Sequence, residues 1–491
     1  MSGTVRARRG GALVAAVALA ASVGPTSAGA QERFRRTPPL PDARPIELRL
    51  PAVEKTLLPN GLTVAVAPRP GSTAVTLQLV IRAGEADSPP ELPGVAGLTA
   101  RMIGKGTKLL SANYIENIIE TIGAKYSVTV LMDYTVLSLR VLPEHLERAM
   151  WILRVLAVES VFPERELAAV RRNVYWDLVE RKKDPESLAW TQLLRLLFEN
   201  HPYRTATYSE DVIKFVTNKD VAAFYGRFYR PGNAAVLVFG DIDGPETAKR
   251  VGSHFAAWSG AAPERPPSVP PGPNLRERIC FVESPDAGNA TIFAGNVVMD
   301  ASDPDFFPFL VLKQILGGTT GSRLFMNLRE SKAYAYYAFS ETEFFRDCGV
   351  YWARALVRPD AIAPATRQML AEIATLAAQP PPPSEIEEAK SFLIGSLPLR
   401  FSTSEGFGEW LDRYVALGLG ESQWSKTLEN LTRVNIEQVR EAARKHLSAK
   451  PLVVIVGRPE WASSLAAEFD IIEVYDTNGK LKDTLPKGER P

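Results

Sequence analysis

Two stretches in opposite halves of this chain repeat one another's pattern, and that repetition limits the possible fold more than any other feature. Residues 216–240 read VTNKDVAAFYGRFYRPGNAAVLVFG, and residues 434–457 read VNIEQVREAARKHLSAKPLVVIVG. Each has an asparagine near its start, carries apolar residues at i, i+3 and i+4, breaks at a proline and ends in a β-branched run closed by glycine. The pattern predicts an amphipathic helix leading into a buried strand, twice, with Val221 and Val439 in equivalent places. A second match lies earlier in each half. Gly104-Lys105-Gly106-Thr107 precedes one helix and strand pair, and Gly317-Gly318-Thr319-Thr320 precedes another. Both lead through a strand and a proline (Leu142-Pro143, Arg358-Pro359) into a long helix. Two matches in the same order predict an internal duplication.

A chain of 491 residues is also too long for one ordinary core. With 45% hydrophobic and 23% charged residues, its composition is that of a globular protein. Residues 55–68 place two short apolar runs around Asn60-Gly61, a pair that tolerates the positive φ of a tight hairpin. Hairpins imply antiparallel pairing, so the expected class is α+β: a mainly antiparallel sheet covered by helices on one face, occurring twice. A proline-rich stretch around 262–273 separates the copies as a semi-rigid linker. The expected segments are a leader (1–30), an extended proline-rich arm (31–50), an N-terminal domain (51–260), the linker (261–275), a C-terminal domain (276–467) and a polar, solvated tail (468–491).

The leader reads as a secretory signal. Arg6, Arg8 and Arg9 precede a small-residue apolar core, and Ala28-Gly29-Ala30 supplies small residues before Gln31. Its apolar run is shorter than the roughly 20 residues that span a bilayer, so no membrane span is expected after its removal. The predicted address is the bacterial periplasm. There, Cys280 and Cys348 could form a disulfide or stay as two separate buried thiols. A net charge of +1 argues against nucleic acid as a partner. No glycine-rich loop follows a predicted strand, which argues against a nucleotide.

Leu58-Pro59-Asn60-Gly61-Leu62, Gly106-Thr107, His201-Pro202-Tyr203, and Ser322-Arg323-Leu324 through Leu328-Arg329-Glu330 occur in an order and spacing that resembles peptidase family M16, the pitrilysin and mitochondrial processing peptidase family. The resemblance covers roughly residues 50–460 and implies two LuxS/MPP-like α/β-sandwich domains. Active members carry His-x-x-Glu-His on a helix before the Gly-Thr step, with two histidines holding zinc and the glutamate activating a bound water. Aligned on Gly106-Thr107, the ligand positions here are Gly97 and Arg101 and the base position is Ala100. Glycine and alanine offer no donor, and arginine is a fixed cation. The third-ligand position falls on Asp177, and Arg101 is expected to pair with it. None of His145, His201, His254 and His446 lies three or four residues from another, so no replacement helical motif exists.

The family's C-terminal half supplies an arginine and a tyrosine that hold substrate near the zinc. The matching segment, LRESKAYAY, retains Arg329 and Tyr336, although the glycine usual within it is Ala333 and Tyr337 offers a second tyrosine. The resemblance therefore implies an exported, non-catalytic subunit that binds unfolded peptide. It would bind no zinc itself and would lend Arg329 and Tyr336 to a zinc-bearing M16 homologue in a heterodimer. The alternative is a peptide-binding or scaffold protein of the same fold with no part in proteolysis.

Overall fold

The computed structural model describes residues 51–486 except 209, 266–268, 270, 275, 277, 421, 422 and 424. The leader and the 31–50 arm lie outside the described residues, as do parts of the linker and the end of the tail. Two sheets carry the fold. The first contains β1 (Glu54–Leu57), β2 (Thr63–Pro68), β3 (Val75–Ile81), β4 (Lys125–Val130), β5 (Thr135–Val141) and β6 (Ala234–Gly240), in the order β1-β2-β6-β3-β5-β4. The second contains β7 (Arg278–Glu283), β8 (Ala290–Val298), β9 (Ala335–Phe344), β10 (Gly349–Val357), β11 (Leu452–Gly457), β12 (Ile471–Tyr475) and β13 (Leu481–Pro486), in the order β13-β12-β7-β11-β8-β10-β9.

The run β2-β6-β3-β5-β4 matches β7-β11-β8-β10-β9 strand for strand. In both, the first pair is parallel and the rest antiparallel. The duplication is thus visible in the topology. The Asn60-Gly61 hairpin is present as well: Gly61 has φ +86°, and Asn60 Nδ2 donates to the carbonyls of Phe255 and Trp258 at 2.9 Å.

Each half lays its own helices on one face of its sheet, as the apolar periodicity predicts. Val221 and Val439 are both fully buried there, in the two main cores. The other face of each sheet is also covered, by a helix from the opposite half. Helix Pro185–Leu197, started by Asp184 as N-cap with proline at its first position, packs on β8 and β11. Helix Ser404–Ala416, capped by Thr403, packs on β3 and β6. Phe407 is wholly buried with its ring 5.3 Å from that of Phe239. A buried phenylalanine of this kind contributes about 1.5–3 kcal/mol. This exchange explains why β3, β6, β8 and β11 are buried along their whole length rather than on alternate residues.

The expected solvated tail requires correction. Ile472 and Val474 are buried, and β12 pairs in parallel with β7, so the chain after Ala467 adds two strands to the second sheet. The charges that suggested a tail serve the outer edge, where Lys482 pairs with Glu283 and most of β13 is exposed. Cys280 and Cys348 are separate, buried free thiols. Within the linker, Arg265 Nε bonds Asp87 Oδ1 at 2.8 Å and the guanidinium lies over the Phe228 ring, which pins that segment to the first half. Among the described residues, no helix is long and apolar enough to cross a membrane.

Candidate functional site

A cavity of about 1000 Å³ lies between the two halves. One wall contains Gly97, Arg101 and Asp177, the edge strand β4 supplies Val128 to Val130, and β9 and β10 supply Glu341, Glu343, Trp352 and Arg354. Helix Val95–Met102 begins after Gly94 in the left-handed region (φ 83°) and buries every residue except Arg101. Gly97 and Arg101, four residues apart, share one face of that helix, as two metal ligands would. Arg101 Nη1 donates to Asp177 Oδ2 at 2.8 Å, so the expected pair is present. Ala100 is fully buried and carries no donor atom.

The position of the first ligand is filled. A Cβ built on Gly97 would lie 2.6 Å from Glu85 Oε1, closer than real Cβ contacts come. Glu85 comes from the short turn Glu85–Asp87 and shares a hydrogen bond with Tyr208. Burial pushes its carboxyl up to about 7, against the pull of the Arg181 and Arg101 charges. Burial likewise raises Tyr208, with Glu85 adding to the effect. The family's zinc does not fit this arrangement. Two carboxylates stand among two guanidinium groups, no imidazole lines the cavity, and a side chain at 97 would require the Glu85 carboxylate to move.

The four histidines lie elsewhere. His145 faces its neighbour Glu144, His201 Nδ1 accepts from the Tyr203 amide, His254 pairs with Glu147, and His446 lies 3.0 Å from Asp305. Among the described residues, the one three-group cluster able to hold a metal is Asp303, Asp305 and His446. It is in the other half, and Lys445 Nζ already lies 2.8 Å from Asp305.

Arg329 and Tyr336 do not join Gly97, Arg101 and Asp177 in the cavity. Arg329 sits on the π-helical turn Met326–Ser331, half-exposed, with its guanidinium over the Phe325 ring and Nε 3.8 Å from Glu330 Oε1. Tyr336, on the outermost strand β9, is 54% exposed. Its neighbour Tyr337 points inward, where its hydroxyl donates to Glu186 of the first half, so the two tyrosines divide into an exposed and a structural one. Ala333 has φ +53°, the one non-glycine residue in the left-handed region among those described. The segment therefore keeps a backbone shape that favours glycine at this position.

Glu85, Tyr208 and Arg181 form part of the site without having been expected from the sequence. Glu85 stands in the short loop GEADSPP with no motif around it, and nothing in its neighbours announces a buried carboxylate.

Fold and site together define a duplicated peptidase scaffold with glycine, alanine and arginine at the positions of the family's zinc motif. On the scaffold, though not on the metal position, family models agree: "Insulinase (Peptidase family M16)" matches residues 63–211 and "Peptidase M16 inactive domain" matches residues 216–393. The chain belongs to peptidase family M16. An uncharacterized zinc protease of Streptomyces coelicolor is 25% identical over 82% of this chain and 89% of its own length. The crystal structure of a peptidase M16 inactive domain from Pseudomonas fluorescens superposes with a TM-score of 0.76 at 23% identity, covering 83% of this chain and 98% of that one. The periplasmic protease PqqL of Escherichia coli gives a TM-score of 0.70 at 18% identity, over 84% of this chain and 48% of its own.

Proposed function

We propose that this chain is an exported, non-catalytic M16 subunit that binds unfolded peptide and completes the active site of a zinc-bearing M16 partner. The observation that carries the reading is the exposure of Tyr336 on the edge strand β9 and of Arg329 on the turn before it, where Arg329 rests only on the Phe325 ring and near Glu330. Arginine can donate two parallel hydrogen bonds to a peptide carbonyl, and a tyrosine hydroxyl can stabilise a developing oxyanion. Offered across a subunit interface, the pair supplies what a zinc centre alone lacks. The residues at the motif positions support division of labour, because Gly97 and Ala100 carry no metal-binding or proton-accepting side chain. Peptide would lie extended along the free edge of β4, through backbone hydrogen bonds, with the cavity receiving its side chains. The leader's pattern supports a periplasmic address, as does the periplasmic origin of PqqL.

The test is peptide hydrolysis by this chain alone, by the zinc-bearing homologue alone, and by the mixture. The mixture is expected to exceed the sum of the two. Arg329→Ala or Tyr336→Phe should lower its kcat by about 10²–10³, the cost of removing one oxyanion donor, without changing the Tm. Equal activity with and without this chain would leave a scaffold of the same fold as the better reading.

A further inference from the structure

A second cavity, of about 310 Å³, lies between the β3-β5-β4 face and helix Ser404–Ala416. Its floor is polar although deeply buried. Thr76 and Gln78 of β3 are 5% and 7% exposed, and neither Thr76 Oγ1 nor Gln78 Oε1 has a hydrogen-bond partner in the protein. Buried polar atoms are normally paired, and these two face a space large enough for a small ligand. Most charges around the cavity are already engaged: Arg140 with Glu405, Arg413 with Glu343, and Asp412 with the Tyr134 hydroxyl at 3.1 Å. Arg400, Lys125 and Glu409 are not, and of these Arg400 is the cation deepest in the protein. It lines the cavity without a hydrogen bond and feels Glu409 only at longer range; desolvation, then the like charge of Arg413, disfavours its cationic form. Lys125, on β4, adds a second cation at the mouth.

The cavity thus offers cationic donors at its rim and an acceptor, Gln78 Oε1, on its floor. A carboxylate with an amide N–H in the same residue is the signature of a peptide C-terminus. The position agrees, because Thr129 and Leu131 line both cavities, so a peptide along the β4 edge passes from one into the other. We propose that this second cavity anchors the C-terminal residue of a bound peptide, its carboxylate on Arg400 and its amide N–H toward Gln78. The inference rests on the peptide-binding part of the reading above and is independent of the partner and of Arg329 and Tyr336.

The experiment is fluorescence anisotropy on the full chain with an N-terminally labelled, unstructured random-sequence peptide pool lacking Asp and Glu, as the free acid and as the C-terminal amide. The acid is expected to bind at least about tenfold more tightly, the scale of a hydrogen bond between charged groups. Arg400→Ala should bring the acid down to the level of the amide, and Gln78→Leu should weaken the acid less. Equal binding of acid and amide would overturn the anchor and leave peptide binding standing. No binding of either form would overturn both.

Discussion

β4 and β9 are the same strand in the two copies, each at the free edge of its common five-strand core, yet the chemistry beside them has diverged. Next to β4, the groups at the former metal position are drawn together. Arg101 bonds Asp177, Glu85 occupies the space in front of Gly97, and Tyr208 holds Glu85. Beside β9, Arg329 and Tyr336 stand half-exposed, and Arg329 meets only the Phe325 ring and, weakly, its neighbour Glu330. A polar pocket within a fold must satisfy its own groups once no metal does so. Exposed groups on an edge are solvated and need no such repair. Fold stability therefore accounts for the buried Glu85 and Tyr208 beside β4 and is silent about the exposed pair beside β9. Ala333 is part of the local structure before β9: it ends the helical turn in the left-handed region, with the Tyr334 amide donating to the Leu328 carbonyl at 2.8 Å, at a cost of about 1 kcal/mol.

The largest expected difference comes from trying to reverse the blocked site. Gly97→His, alone or with Ala100→Glu and Arg101→His, should destabilise the chain by about 1–3 kcal/mol, the cost of overpacking a filled site. The new Cβ would come within 2.6 Å of Glu85 Oε1 and must displace that side chain from its buried site, and this should outweigh the helix propensity that a side chain adds. Adding Glu85→Ala should restore most of the loss and allow the triple variant to bind zinc, measured by thermal denaturation and metal analysis. A Gly97→His protein as stable as the parent would show that Glu85 does not block the position. Tyr336→Phe, on the other side of the comparison, should leave the Tm unchanged.

The pH dependence of stability tests the same carboxylate with a smaller effect. The folded Glu85 value of about 7 lies above its unfolded value, so folding favours the protonated form. Its contribution is fully present below about pH 4.5 and is lost as pH rises through about 7. Asp412, also raised to about 7 by burial, adds a slope of the same sign. Glu85→Gln should match the parent near pH 5 and be more stable by about 1–2 kcal/mol near pH 8, read from urea midpoints. Identical profiles for the two proteins would mean that Glu85 is ionised and solvated in the folded state.

Much of the architecture is legible from local rules. The Asn60-Gly61 hairpin, the two helix–strand repeats and the Leu142-Pro143 and Arg358-Pro359 junctions depend on turn chemistry and periodicity, which act over a few residues. The exchange of helices Pro185–Leu197 and Ser404–Ala416 does not, because each helix satisfies its apolar face on a sheet far away in sequence. The sequence predicts helices on one face of each sheet, and the continuous burial of β6 and β11 is what the second, exchanged cover produces. The tail was misread because its lysines and acids mask the alternation of Ile472 and Val474. At the site, the absent ligands at 97, 100 and 101 and the Arg101–Asp177 pair follow from alignment alone. Glu85 does not, since its role arises from a tertiary contact with a residue that has no side chain.

The smallest effect separates the two things that happened beside β4. Arg101 and Asp177 are 44% and 49% exposed, so their bond is made largely in water and should couple by less than about 1 kcal/mol in a double-mutant cycle. Arg101→Ala and Asp177→Ala should each shift the denaturation midpoint little, and the double variant should be nearly additive. Under that outcome the buried Glu85 closes the metal position, and the ion pair is what remains of two ligand positions left at the surface. A coupling of several kcal/mol would reverse the assignment and make Arg101 the group that closes the site. It would also narrow the contrast with Arg329, since both arginines would then be held for a purpose rather than one of them by default.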